Sequence, residues 1–202
     1  MTEETEHKPV DTHNQILSAM YQLVAEGGLE KASINKICKI VDITPPAVYY
    51  YFDSKVEIFI EMLRNMASMP DVRDIFTSEE INNADAYRLM FEKYGTDVIE
   101  GYHDDLSRCL VLVESNIQAR RIPEVYEWQL ERVGTMTGAL KRIIAFGVEN
   151  GYLSNSINQE GSAELLYVVL RGISETMANR EPIDAYRVWI QAIDDLVFAH
   201  AN

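Results

Sequence analysis

The chain has 202 residues, of which 47% are apolar and 25% are charged, and its net charge is −14. This length and apolar content suit one helical domain or a small head joined to a larger body, and they exclude a disordered or fibrous chain. Residues 1–11 are polar and acidic, and the longest apolar run, Leu165–Leu170, is too short to cross a bilayer, so we predict a soluble, cytoplasmic protein. Taken over the whole chain, the negative charge argues against binding a polyanion.

The first two predicted helices are bounded by a glycine pair and by a tight turn. Apolar positions with helical spacing begin after Thr12, and we expect this helix to stop at Gly27 and Gly28. Ser33 is a suitable N-cap for a second, short helix. A tight turn at residues 42–43 then ends that helix.

The third predicted helix begins at a double proline. Thr44 precedes Pro45 and so favours the extended backbone of an N-cap, and a proline in the first turn loses no needed N–H. Val48 and Phe52 are four residues apart, share a face and form the predicted buried pair. The outward positions are then Pro45, Pro46, Ala47 and Tyr50, with Tyr49 and Tyr51 on the flanks. Two short helices joined by a tight turn, the second with exposed rings, indicate a helix-turn-helix that binds a DNA major groove.

This region resembles the N-terminal head of the TetR family of transcriptional regulators. The resemblance covers residues 16–59 and is carried above all by Tyr49, Phe52 and Lys55 at their relative spacing. It implies that Tyr49 and Lys55 contact DNA phosphates and that Ser33 offers its hydroxyl and a helix N-terminus to another phosphate. The DNA-binding residues predicted in this way are Ser33, Asn35, Lys36, Thr44, Pro45, Pro46, Ala47, Tyr49, Tyr50 and Lys55.

The head departs from the family pattern in its charge. Asp42 stands in the turn where the family usually has glycine, and the outward face of the third helix has no Arg or Lys to read guanine. Four lysines against three acids give residues 29–56 a net charge of only +1. We therefore expect few phosphate contacts, a shallow salt dependence and modest sequence discrimination.

The rest of the chain predicts an all-α body after the head. A connecting helix runs to about Met66, and a polar, irregular stretch follows it to residue 84. Helical patterns then cover residues 85–102, 104–119, 123–149, 159–178 and 183–200. We predict two domains, a helix-turn-helix head at residues 1–54 and a helical effector-binding and dimerisation domain at residues 55–202.

The fourth of these body helices is apolar almost all round from Leu165 to Ile173, so it must be covered on two sides. One side can pack on its own domain and the other on a second copy, with Gly172 permitting close approach. This matches the two-helix contribution to a dimer interface that the resemblance implies. The residues assigned to the dimer interface are Leu166, Leu170, Gly172, Ile173, Trp189, Ile193 and Leu196.

The resemblance also implies a small-molecule effector site in the body, with no cofactor or metal. Aromatic, methionine and histidine side chains on the middle helices are its candidate lining, although ordinary core packing would give the same pattern. The candidate pocket residues are Met90, Tyr94, Tyr102, His103, Trp128, Met136 and Tyr167. The acidic composition hints at a cationic effector, unless those carboxylates simply face water. Cys38 and Cys109 are predicted to be reduced core thiols.

These observations predict a dimeric DNA-binding regulator, acting as a repressor, whose operator binding responds to a small molecule. An enzyme is disfavoured because the chain has no phosphate-binding glycine loop, no HExxH and no GxSxG, and its four histidines are dispersed. The alternative is a protein of the same fold whose head binds a protein partner in place of DNA. Salt dependence separates the two, because DNA binding weakens with salt.

Overall fold

A computed structural model describes residues 9–66 and 81–201 of the chain. Within those ranges the protein consists of helices and their connections, which confirms the predicted all-α class. The contacts group the chain into two compact units. The head unit comprises Met1–Ser68 with Glu114–Tyr126, and the body unit comprises Met69–Val113 with Glu127–Asn202. The functional division predicted after residue 54 stays a prediction.

The head unit contains four helices before residue 67, and their order follows the prediction. They are α1 (Pro9–Lys31), α2 (Ile34–Val41), α3 (Pro45–Tyr49) and α4 (Lys55–Met66). Helix α1 packs against α2 and α4, and α2 packs against α3. Because each helix buries only one apolar face, the four helices share a small core. Its fully buried members include Ile16, Met20, Ile37, Val48, Phe52, Ile58 and Phe59.

Helix α1 does not stop at its glycine pair but is interrupted there. Gly28 has φ 77° and ψ 168°, outside the helical region, and residues 29–31 form one further turn. The carboxylate of Glu114 accepts a hydrogen bond from the backbone N–H of Leu29 at 2.8 Å. The interruption frees this N–H from the helix, and the bond to Glu114 satisfies it.

The helices of the second half lie close to their predicted ranges. They are α5 (Ala84–Asp104), α6 (Leu106–Gln118), α7 (Pro123–Glu149), α8 (Gln159–Ala178) and α9 (Ala185–Leu196), followed by a short 3₁₀ turn (Phe198–His200). Asn83, Asn158 and Asp184 accept N-cap hydrogen bonds that begin α5, α8 and α9. The irregular stretch predicted before α5 lies mostly outside the described residues.

The body core forms where α5, α8 and α9 pack together. The indole of Trp189 on α9 is fully buried and donates to the carbonyl of Glu92 on α5 at 3.0 Å. A Cβ atom at Gly95 would lie 2.0 Å from this indole, so only glycine lets the two helices approach this closely. Cys109 is also buried in the body and, like Cys38 in the head, carries a free thiol. No helix in the described ranges is long and apolar enough to span a membrane.

Candidate functional site

Helix α2 begins with the hydrogen-bond pattern that the sequence predicted. The hydroxyl of Ser33 accepts from the backbone N–H of Lys36 at 3.3 Å, which makes Ser33 the N-cap of α2. Asn35 and Lys36 follow on the first turn and are exposed. Three of the predicted DNA-binding residues thus lie together at one helix start.

The turn between α2 and α3 places its unusual residue in a left-handed conformation. Asp42 has φ 58° and ψ 48°, so it takes the backbone geometry for which the family pattern uses glycine. Thr44 is extended, as expected before a proline, but its hydroxyl makes no capping hydrogen bond. The turn therefore keeps the helix-turn-helix geometry while bringing a carboxylate to its surface.

Helix α3 exposes tyrosine rings at its end but is shorter than predicted: it ends at Tyr49, so Phe52, predicted to lie on it, follows three residues later. Val48 and Phe52 are buried, and Phe52 stacks on the His13 ring with centroids 4.8 Å apart. Tyr50 is 81% exposed and Tyr49 is 54% exposed. Tyr51 packs at the edge of both the His13 and Tyr50 rings, at centroid distances of 6.0 and 5.0 Å. Along α3 and its caps, Thr44, Pro45, Pro46, Tyr49 and Tyr50 are exposed and Ala47 is partly exposed. We call these six residues the recognition surface, and their contact with DNA stays a prediction.

Two of the lysines near this recognition surface already bind backbone carbonyls at the end of α1. The ammonium of Lys55 donates to the carbonyls of Leu29 and Ala32 at 3.0 and 3.2 Å, and Lys36 donates to the carbonyl of Lys31 at 2.7 Å. Cations at a helix C-terminus satisfy the last carbonyls and stabilise the helix dipole. Lys55 therefore has a structural role in the head, and its phosphate contact stays a prediction.

Five of the seven predicted pocket residues are buried in the body unit. They are Tyr94, Tyr102, Trp128, Met136 and Tyr167. Met90 is partly buried against the same core. His103 lies instead on the surface, where its ring stacks on Tyr186 at 5.6 Å. His103 is therefore removed from the candidate lining, because an exposed, stacked ring does not face the interior.

A charged residue that the sequence reasoning missed lies in the same buried stripe. Arg132 is four residues from both Trp128 and Met136 on α7, so the three share a face of that helix. Arg132 is half-buried, and the ion pairs of the described residues give it no carboxylate partner. The i, i+4, i+8 spacing of a cation between two large apolar residues was the signal that could have found it.

The phenol groups near Arg132 keep their protons. Burial raises the pKa of Tyr94 to about 12, against the opposing positive charges of Arg142 and Arg132. Burial also raises the pKa of Tyr102, and the charge of Arg132 opposes that shift too. Both phenols are therefore neutral near pH 7 and can donate hydrogen bonds.

Most of the residues predicted for the dimer interface are buried within the body itself. Leu166, Leu170, Ile173, Trp189 and Ile193 are buried in the body's own core. Leu196 packs against that core, and Gly172 alone of the seven is exposed. A side chain already buried in the body's own core has little surface left for a partner, so these buried residues are not free for the predicted contact.

The opposite face of α8 is exposed and partly apolar. Leu165 is 51% exposed and Val168 is 59% exposed, and Gly172 follows four residues later. These three positions are spaced i, i+3, i+7 and lie along one stripe. We call Leu165, Val168 and Gly172 the α8 stripe.

Comparison with known proteins finds a family model that matches the part of the chain containing helices α2 and α3. The family model of bacterial regulatory proteins, tetR family, matches residues 16–62. The chain is 24% identical over 170 residues to the HTH-type transcriptional regulator UidR of Escherichia coli strain K12. The aligned residues cover 84% of this chain and 82% of that protein.

Solved structures with the same fold cover nearly the whole chain. A TetR transcription regulator from Haloarcula marismortui superposes with a TM-score of 0.77 at 16% identity, over 96% of this chain and all of that one. SmeT, the repressor of the Stenotrophomonas maltophilia multidrug efflux pump SmeDEF, superposes with a TM-score of 0.74 at 18% identity. The superposition covers 99% of this chain and 93% of that one. At these identities the likeness shows a shared fold.

Proposed function

We propose, since the chain belongs to the TetR family of DNA-binding transcriptional regulators, that it is a cytoplasmic homodimeric repressor released from its operator by a small molecule. A repressor, SmeT, is among the proteins that share its fold. One observation carries the proposal: Val48 on α3 and Phe52 just beyond it are buried, while Tyr49 and Tyr50 are exposed. Exposed rings on the second helix of a helix-turn-helix can reach phosphates and base edges in a major groove.

The direct test is selection of genomic DNA fragments by the purified protein at low salt. We expect a short palindrome to be enriched, since a two-fold dimer binds two half-sites about one helical turn apart. Recovery of no sequence by a folded dimer would contradict the proposal. That result would favour the alternative in which the head docks on a protein partner.

A single hydroxyl tests the phosphate contact at Tyr49. Tyr49→Phe should weaken binding to every DNA sequence by a similar factor, about three- to tenfold, because a phosphate hydrogen bond carries no sequence information. Tyr126→Phe is the matched control, since Tyr126 is also exposed but lies at the start of α7. Equal affinities for the two variants would remove Tyr49 from the interface.

A salt titration counts the lysines that neutralise phosphates. In the described hydrogen bonds, Lys36 and Lys55 donate to backbone carbonyls, whereas Lys31 and Lys39 are exposed with no such bond. If only the latter pair acts in each head, a dimer should give a slope of log affinity against log salt of about −3.6. If all four lysines act, the slope should be about −7.

We assign the dimer contact to the α8 stripe. Exposed apolar side chains beside a glycine allow two copies of one helix to approach closely. Helix α9 is less suitable, because its exposed positions (Arg187, Gln191 and Asp195) are polar. Val168→Asp should give a folded monomer by analytical ultracentrifugation. Gln191→Asp, the control on α9, should remain a dimer. A dimeric Val168→Asp protein would contradict this assignment.

The effector is proposed to act by population shift. Ligand in the body favours a spacing of the two heads that no longer matches successive major grooves, so operator affinity falls. The supporting observation is the buried group of aromatic and methionine side chains beside Arg132. The ligand must bind the two states with different affinities, which an operator release assay measures directly.

A further inference from the structure

Among the described residues of the body, one buried hydroxyl has no hydrogen-bond partner. The Tyr167 side chain on α8 is only 6% exposed, and its hydroxyl makes no hydrogen bond within the described residues. Most buried polar groups in proteins are hydrogen-bonded, because leaving one unpaired costs free energy. An orphan hydroxyl of this kind is expected where a ligand supplies the missing partner.

The positive charge of Arg132 lies in the same region of the body. Tyr102 on α5 is near enough to Arg132 and to Tyr167 for its ionisation to respond to both groups. Arg132 itself stands between Trp128 and Met136 on the buried stripe of α7. Three helices therefore contribute a guanidinium and two phenols to one region of the body, and α7 carries two buried apolar side chains on the same face as the guanidinium.

The charge balance of this cluster is positive although the protein is acidic. The acidic residues nearest Arg132 along α7, Glu127 and Glu131, are exposed and so lie off the buried stripe. A half-buried guanidinium without a carboxylate partner is costly unless an anion joins it. Arginine and neutral phenols are all donors, and donors bind carboxylate or phosphate oxygens.

We propose that the body binds a small amphipathic acid whose anionic group is held by Arg132 and the Tyr167 hydroxyl. Its apolar part lies against Trp128 and Met136, and Tyr102 is placed to donate a further hydrogen bond. This inference rests on the proposed effector site and specifies its ligand class. It replaces the cationic effector that the composition suggested, because those carboxylates are a property of the whole chain and not of this cluster.

The test compares probes of one shape and different charge. Octanoate, octyl phosphate, octanamide and octylamine are titrated into the full-length protein near pH 7 by isothermal calorimetry, with Trp128 fluorescence as a second signal. We expect an acid to bind at least about tenfold more tightly than the amide, as a charge-assisted hydrogen bond provides. Tighter binding of octanoate would identify the anionic group as a carboxylate, and tighter binding of octyl phosphate would identify it as a phosphate.

Substitutions at Arg132 and Tyr167 test whether these two residues cause the preference for an acid over its amide. Arg132→Gln should lower acid affinity about tenfold and leave amide affinity unchanged. Arg187→Gln, on the exposed face of α9, is the matched control and should change neither. Tyr167→Phe should weaken acid binding about three- to tenfold without lowering the melting temperature of the free protein, because it removes an unpaired buried group.

The proposal is overturned by equal affinity for acid and amide, by tighter binding of the amine, by an unchanged Arg132→Gln protein, or by no binding of any acid at its solubility limit. These outcomes are distinct from failure of the regulator function, because the titrations contain no DNA. An amine that bound and released the operator would keep the effector mechanism and reject the acid.

Discussion

Helix α3 of the head and helix α8 of the body both carry exposed apolar groups beside buried ones, but they do so in different ways. In α3 the exposed rings are Tyr49 and Tyr50, and a single buried residue, Val48, fixes which side faces inward. In α8 the exposed Leu165 and Val168 alternate with the buried Leu166 and Leu170 within about two turns. Exposure in each helix is decided by position around its axis and not by hydrophobicity.

The difference shows what each helix presents to a partner. Tyrosine has a hydroxyl at the end of an apolar ring, so α3 can meet the polar surface of DNA without a large apolar patch. Leucine and valine offer no such group, so the α8 stripe suits a second apolar surface. The predictions below separate buried from exposed members of each helix, beginning with the largest expected effect.

In the head, Phe52→Ala should destabilise the protein by about 3–5 kcal/mol, because it removes a fully buried ring that stacks on His13. Tyr50→Ala should change the free energy of unfolding by less than about 0.5 kcal/mol. Urea unfolding followed by circular dichroism measures both. A Tyr50→Ala protein as unstable as Phe52→Ala would show that the exposed ring is needed for folding. The distinction between buried and exposed rings in the head would then be wrong.

In the body, Leu166→Ala should cost about 2–5 kcal/mol, since it opens a cavity in the core. Val168→Ala, two residues along the same helix, should cost less than about 1 kcal/mol when all proteins are measured at a concentration low enough for them to be monomeric. The measurement is chemical denaturation of both proteins. Similar losses would mean that α8 has no free face.

Because α1 is interrupted at Gly28, we expect alanine substitutions at its two adjacent glycines to change stability in opposite directions. Gly28→Ala should destabilise by about 1–2 kcal/mol, because φ of 77° is unfavourable for an L residue and the new Cβ would lie 3.1 Å from the Glu114 carboxylate. Gly27→Ala should stabilise by up to about 1 kcal/mol, since it would meet only the flexible side chain of Lys31. Thermal unfolding of the two variants gives the sign of each change.

The smallest stability effect is expected at the turn before α3. Asparagine tolerates positive φ as aspartate does, so Asp42→Asn should change stability by less than about 0.5 kcal/mol. Removal of a negative charge beside the recognition surface should nevertheless strengthen DNA binding about two- to fivefold at low salt. Unchanged affinity would place Asp42 away from the phosphates.

Much of the head could be predicted from the sequence because its elements are short and sharply bounded. Ser33 caps α2, and the prolines begin α3. Once those starts are fixed, the four-residue spacing of Val48 and Phe52 leaves one inward side, so the exposed tyrosines followed. The second role of Lys55 did not follow, because its carbonyl partners lie more than twenty residues earlier in the chain.

The sequence by itself determined the all-helical class, the range of nearly every helix and the outward face of α3, because local spacing and capping act within one or two turns. Only the tertiary structure decided which side of α8 is buried, since a helix that is apolar all round is compatible with every rotation about its axis. The placement of Arg132 and Tyr167 was likewise decided only by the tertiary structure. The shared site proposed for them on α7 and α8 depends on how distant segments pack, and no local pattern specifies that packing.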